Sequence, residues 1–153
     1  MSICVLFAFL IGVVAGLRAL TAPTAVSWAA ALRWLHLEGT PLAFMGYAAT
    51  PYIFTVLAIG ELISDQLPST PSRKAAPGFI ARIVTGALCG AAFGLQRDEL
   101  LPCILAGILG AVAGTFGGYE ARVRLARAVG KDLPIALLED AIAIGGAYFL
   151  ISH

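Results

Sequence analysis

Six ionisable side chains sit inside or at the edge of apolar runs: Arg18, Glu61, Asp65, Arg82, Glu139 and Asp140. Within a membrane segment such a group costs roughly 2.5–3.5 kcal/mol, so it faces a protein interior and takes a partner. Glu61 and Asp65 are four residues apart, which stacks two carboxylates on one helix face. Two anions so close resist full ionisation, and they share a proton or hold a cation. Arg18 and Arg82 are the nearest counter-charges by expected depth. Glu139 and Asp140 bring further negative charge from the last apolar segment, with Glu120 and Arg122 nearby. The chemistry this favours is binding of an ion or small charged solute in an inward-facing polar cavity, as in a small transporter or channel. Two alternatives use the same residues. Arg18, Arg73 and Arg82, with the positive ends of helices, could hold a lipid phosphate. Or the charges are interhelical salt bridges that only fix helix register, in a structural or assembly protein.

Other chemistries lack their residues. His36 and His153 stand alone, and no H-x-x-x-H, C-x-x-C, Gly-x-Ser-x-Gly or P-loop occurs. Cys4, Cys89 and Cys103 all lie in apolar runs and read as small buried hydrophobes. The expectation is therefore no metal and no cofactor, and an enzyme is the less favoured reading; a lipid-phosphate enzyme would use the arginines for the headgroup and a carboxylate as general acid or base. A net charge of +1 gives no footprint for nucleic acid.

The elements that would position these charges follow from composition. Of 153 residues, 59% are hydrophobic and 12% are charged, against roughly 25% charged in soluble domains. A globule of this size would expose large apolar patches. The expected architecture is all-α: one polytopic transmembrane bundle over residues 1–153, lying in the lipid bilayer. Proline, glycine and charge punctuate the chain into six helices: Ile3 to Leu20, Ala22 to Leu37, Tyr52 to Leu67, Gly78 to Leu95, Leu100 to Tyr119 (with a basic extension to Val129) and Leu133 to Ile151. The first run follows no Lys or Arg, so it reads as a retained helix, not a cleaved signal. An interfacial turn is expected at Leu42–Tyr47. Arg18, Arg73, Lys74, Arg82, Arg122, Arg124, Arg127 and Lys131 gather on one side of the bundle, and only Arg33 and Arg97 on the other. The positive-inside rule puts the first set in the cytoplasm and both termini outside.

Glycines recur every four residues at Gly12 and Gly16, at Gly86, Gly90 and Gly94, and at Gly110, Gly114 and Gly118. In lipid, such faces let helix backbones approach closely, within one bundle or between copies in a homo-oligomer. The segment Leu10–Gly16 (LIGVVAG) also echoes Ile108–Gly114 (ILGAVAG), as in a duplicated helix pair.

Five phrases go beyond composition: GLRALTAPTAVSWAA (Gly16–Ala30), GELISDQLPSTPSR (Gly60–Arg73), PGFIARIVTGALCGA (Pro77–Ala91), GTFGGYEAR (Gly114–Arg122) and DLPIALLEDAIAIGGA (Asp132–Ala147). Together they resemble the small bacterial membrane proteins grouped as domain of unknown function 4126. The resemblance implies a bacterial inner-membrane protein. It carries no activity, so no catalytic or binding role transfers to any residue.

Overall fold

The computed structural model describes residues 2–64, 76–130 and 133–152. These residues form six α-helices and one 3-10 turn, and no strand occurs among them. The helices are α1 (Ile3–Leu17), α2 (Thr21–Ala31), α3 (Thr50–Ser64), α4 (Ala76–Gly94), α5 (Leu100–Val129) and α6 (Leu133–Ser152). The 3-10 turn, Ala43–Gly46, lies where an interfacial turn is expected.

Local chemistry explains the ends. Ser2 caps α1, its hydroxyl accepting from the Val5 N–H at 3.2 Å. Gly130 closes α5 in the left-handed region, φ +83°, which glycine adopts without a Cβ penalty. The second helix departs from its expected span of Ala22 to Leu37 and stops at Ala31. Arg33 turns left-handed, φ +63°, and the Trp34 and Leu35 N–H groups both fold back onto the Ala29 carbonyl. Leu35, Leu37, Leu42 and Met45 are buried nonetheless. An apolar run there marks a buried return of the chain, not further helix.

Side-chain contacts fix the helix directions. Cys4 lies against Cys103, and Gly12 against Gly107, so α1 and α5 run parallel. Gly86 faces Gly107 and Ala111, while Gly94 faces Glu99 and Leu100, so α4 runs antiparallel to α5. Arg18 meets Asp140 and Val14 lies near Gly146, so α6 opposes α1. Glu61 reaches the Leu20 N–H and the Trp28 ring lies edge-on to Tyr52, so α2 and α3 run antiparallel, with the Trp28 indole donating to Thr55 Oγ1 at 2.9 Å and Thr24 to the Phe54 carbonyl at 3.0 Å between them. At one end of the bundle, Gln96 and His36 exchange two hydrogen bonds, and Ser2 donates to Glu99 at 2.6 Å. The opposite end holds Arg18, Glu61, Glu139 and Asp140.

The centre is the α1–α4–α5 trio, with α1 packed most extensively against α5. Here glycine is required by close approach. A Cβ on Gly86 would come 2.7 Å from the Gly107 carbonyl oxygen, and one on Gly16 would come 2.6 Å from the Thr115 nitrogen. A Cβ on Gly107 would fall on the Gly86 carbonyl oxygen. These faces are filled by helices of the same chain. The echoing segments are themselves neighbours: Gly12 approaches Gly110, and Gly16 approaches Gly114.

Two described helices, Leu100–Val129 and Pro134–Ser152, are long and apolar enough to cross a membrane; Ile3–Leu17 and Gly78–Gly94 are apolar but shorter. Large hydrophobic side chains cover the outside of the bundle, among them Ile53, Val56, Val84, Leu101, Leu109, Ile142 and Phe149.

Candidate functional site

Arg18 ends α1 with an extended backbone, φ −143° and ψ 110°, and its side chain is fully buried. Its Nε–H donates to Asp140 Oδ1 at 2.6 Å, its Nη2 pairs with the same oxygen, and its Nη1 reaches the Leu17 carbonyl at 3.3 Å. Glu139 is the residue before it on α6, about 100° round the helix. Its Oε2 lies 4.0 Å from Arg18 Nη2 and 3.7 Å from Arg122 Nη1 on α5. The charges thus alternate in a row, Asp140, Arg18, Glu139, Arg122. The row leads from the interior to the Arg122 side chain, 17% exposed.

The strengths along the row differ. Desolvating each ion costs several kcal/mol, and one pair at 4 Å returns about 4 kcal/mol at an effective dielectric constant of 20. A buried guanidinium therefore needs a carboxylate in direct hydrogen-bond contact, which Asp140 supplies. Glu139 lies beyond hydrogen-bond length from both arginines and acts as a bridge.

Glu61, on the last turn of α3, holds the adjoining corner. One of its oxygens accepts from the Ala19 N–H and the other from the Leu20 N–H, both at 2.7 Å. Leu20 is the N-cap of α2 and has no side-chain oxygen to cap with. The Glu61 carboxylate binds the N–H of this N-cap residue and of Ala19 before it, at the helix end where the dipole favours an anion. Glu61→Ala should strip the acceptor from both N–H groups and cost about 1–3 kcal/mol. Thermal unfolding in detergent would register this as a lowered Tm, and an unchanged Tm would show that the corner does not depend on Glu61.

The six expected site residues are therefore distributed unevenly. Arg18, Glu139 and Asp140 come together directly, and Glu61 binds the backbone that immediately follows Arg18. Arg82 is buried in α4, where its carbonyl accepts from the Thr85 hydroxyl at 3.1 Å. Asp65 lies outside the described residues, and with it the expected proton sharing with Glu61. Arg122, expected only near the cluster, pairs with Glu139 and is part of the row.

Two cavities open on the bundle, one beside the charge row and one running along α2 from Thr21 toward Trp34 at the opposite end. One, of about 120 Å³, is lined by Leu17, Arg122, Leu125, Ile135 and Glu139 beside the outer ion pair. The other, of about 390 Å³, is an apolar crevice between α2, α3 and α6, lined by residues including Thr21, Thr24, Trp28, Ile144 and Tyr148. At the opposite end, Cys4 Sγ lies 3.3 Å from Cys103 Sγ and 3.1 Å from the Phe93 carbonyl. Glu99 joins them, with ligand atoms of all three residues within 4.8 Å of one another. No local spacing announces this group, because Cys4 stands 99 residues from Cys103.

Neither the curated proteins nor the solved structures contain a match to this chain. The family models do: residues 5–153 match one described as a domain of unknown function, DUF4126. With the match spanning nearly the whole sequence, the chain belongs to that family.

Proposed function

We propose that the chain is a multi-pass protein of the bacterial inner membrane that moves an ion or small charged solute, using the charge row at the Arg18 end as its site. The six helices are read as crossings, with the Arg18 end in the cytoplasm and both termini in the periplasm. Support for the membrane comes from the two long apolar helices and the apolar outer surface. Close glycine contacts would then hold the bundle where lipid offers helices little hydrophobic drive. The observation that carries the transport reading is the row itself. One carboxylate would neutralise Arg18, yet two consecutive ones surround it, and the second leads out to Arg122. Rows of ionisable groups that lead from a helix interior to an aqueous face serve proton and ion passage in membrane proteins.

A lipid-phosphate site is the second reading, and the apolar crevice beside α2 favours it, since its size falls within the roughly 300–1,000 Å³ of ligand pockets. Against it, the α2 N-terminus that would receive a phosphate is already held by Glu61.

The test is Glu139→Gln in proteoliposomes, with proton, sodium and potassium flux followed under an imposed gradient. Glutamine keeps the shape and removes the bridging charge. Flux should fall at least about tenfold, the scale of one interaction worth 1.4 kcal/mol. The loss of stability should be smaller than for removal of Asp140. No flux by the wild type, or equal flux by the variant, would refute the transport reading. A variant altered only in stability would leave the row as a register lock.

A further inference from the structure

We infer that Cys4, Cys103 and Glu99 form a binding site for a thiophilic divalent cation of the zinc type, at the bundle end opposite the charge row. The inference is independent of the transport reading.

Three donors converge from two helices that meet only in the folded chain. Cys4 lies on the first turn of α1, Cys103 on the first turn of α5, and Glu99 is the α5 N-cap. The sulfurs are 3.3 Å apart, and the carboxylate completes a triangle with no side longer than 4.8 Å. Zinc holds thiolates at about 2.3 Å and carboxylate oxygens at about 2.0–2.2 Å in a tetrahedron. Ligand atoms in such a tetrahedron stand between three and four ångströms apart, so small side-chain movements would close this triangle on an ion. Two sulfurs with one oxygen select a thiophilic, borderline-soft ion over magnesium or calcium, which take oxygen ligands. Two oxygens are available for the fourth position. The Phe93 carbonyl touches Cys4 Sγ, and the Ser2 hydroxyl is bonded to Glu99 Oε2 at 2.6 Å.

Access and protons also fit. Both sulfurs are buried, whereas Glu99 is only half-buried and lies beside the exposed Arg97 and Asp98. An ion would meet the carboxylate first and then the thiols. Binding converts two thiols to thiolates, releasing two protons for each divalent ion bound, with no change in oxidation state. The bound ion would tie α1 to α5 and, through Phe93, border the end of α4.

The test uses the full chain in detergent, reduced, stripped with chelator and titrated with cobalt(II) as the spectroscopic stand-in for zinc. The expected result is a thiolate-to-cobalt charge-transfer band with intense visible bands of four-coordinate cobalt, saturating at one ion per chain and bleached by zinc. Glu99→Gln removes a charged ligand and should weaken the affinity at least about 10–100-fold, the range found when only a ligand's hydrogen-bonded support is lost. Cys4→Ala and Cys103→Ala should each remove at least half the charge-transfer intensity, whereas Cys89→Ala should leave it intact. Circular dichroism checks the helices, and Glu99→Gln, the least buried change, supplies the answer should a cysteine variant not fold. Absence of the band in the reduced wild type would overturn the site. So would a band indifferent to Cys4 and Glu99. A Cys4–Cys103 disulfide in the protein as isolated, with no cobalt bound after its reduction, would also overturn it and leave a redox pair in its place.

Discussion

Asp140→Ala should unfold the protein or cost about 3–5 kcal/mol, among the largest losses for any single substitution in the chain. Arg18 is fully buried, and both its Nε and Nη2 are directed at one Asp140 oxygen. Removing that carboxylate takes away the acceptor of the Arg18 Nε–H and a direct counter-charge of a buried guanidinium, and breaking a buried pair in this way is strongly destabilising. Glu139, 4.0 Å from Nη2, is too distant to replace the hydrogen bond that the Nε–H makes to Asp140. The companion experiment is Arg18→Met with Asp140→Leu. Apolar replacement of a whole buried pair is often neutral or stabilising, so the double variant should recover most of the lost Tm. A double variant as unstable as Asp140→Ala would mean that the pair is not a self-contained unit. Recovered stability without recovered flux would assign the pair to the site; recovery of both would assign it to packing.

Gly107→Ala should be the second severe change, although it adds a single methyl group. The added Cβ falls on the Gly86 carbonyl oxygen and lies 3.3 Å from the Gly90 Cα. Backbone cannot rotate out of the way as a side chain can, so α4 and α5 must separate. Overpacking of this kind typically costs about 1–3 kcal/mol, and a leucine at the same position should cost more. The control lies on the same helix. Gly117 has nothing within 4 Å of a built Cβ, so Gly117→Ala should gain about 0.5–1 kcal/mol from better helix propensity. Opposite signs for the two alanines, read as Tm in one detergent, would establish that close approach sets the requirement. Equal Tm values would remove it.

Gly107 also shows where reading from sequence stops. The four-residue rhythm Gly110, Gly114, Gly118 leaves Gly107 out, because it lies on a second face of α5 turned toward α4. Spacing marks a stripe; it does not count the neighbours a central helix has. The helices themselves are largely legible, because apolar runs bounded by proline, glycine and charge have few other outcomes. The end of α2 is not, since Leu35 and Leu37 look the same in a buried turn as in a helix. Depth alone brought Arg18, Glu139 and Asp140 to one level. It could not pair them, because partner choice depends on helix rotation. The acceptor role of Glu61 was hidden for a different reason: its partners are backbone N–H groups, which every residue but proline carries. Cys4, Glu99 and Cys103 come together only through the parallel alignment of α1 and α5.

That alignment also sets an order of events during synthesis. The first helix leaves the ribosome about 99 residues ahead of the stretch of α5 it packs against most closely. At 5–20 residues per second this is a delay of roughly 5–20 s. Arg18 waits longer still, because Asp140 follows it by 122 residues. Through that interval the nascent chain carries the glycine face of α1 without its partner helix. The low-separation pairs, α2 with α3 and α4 with α5, can form as soon as they are made. Of the helices in the central trio, α1 is thus made before α4 and α5 and waits for both.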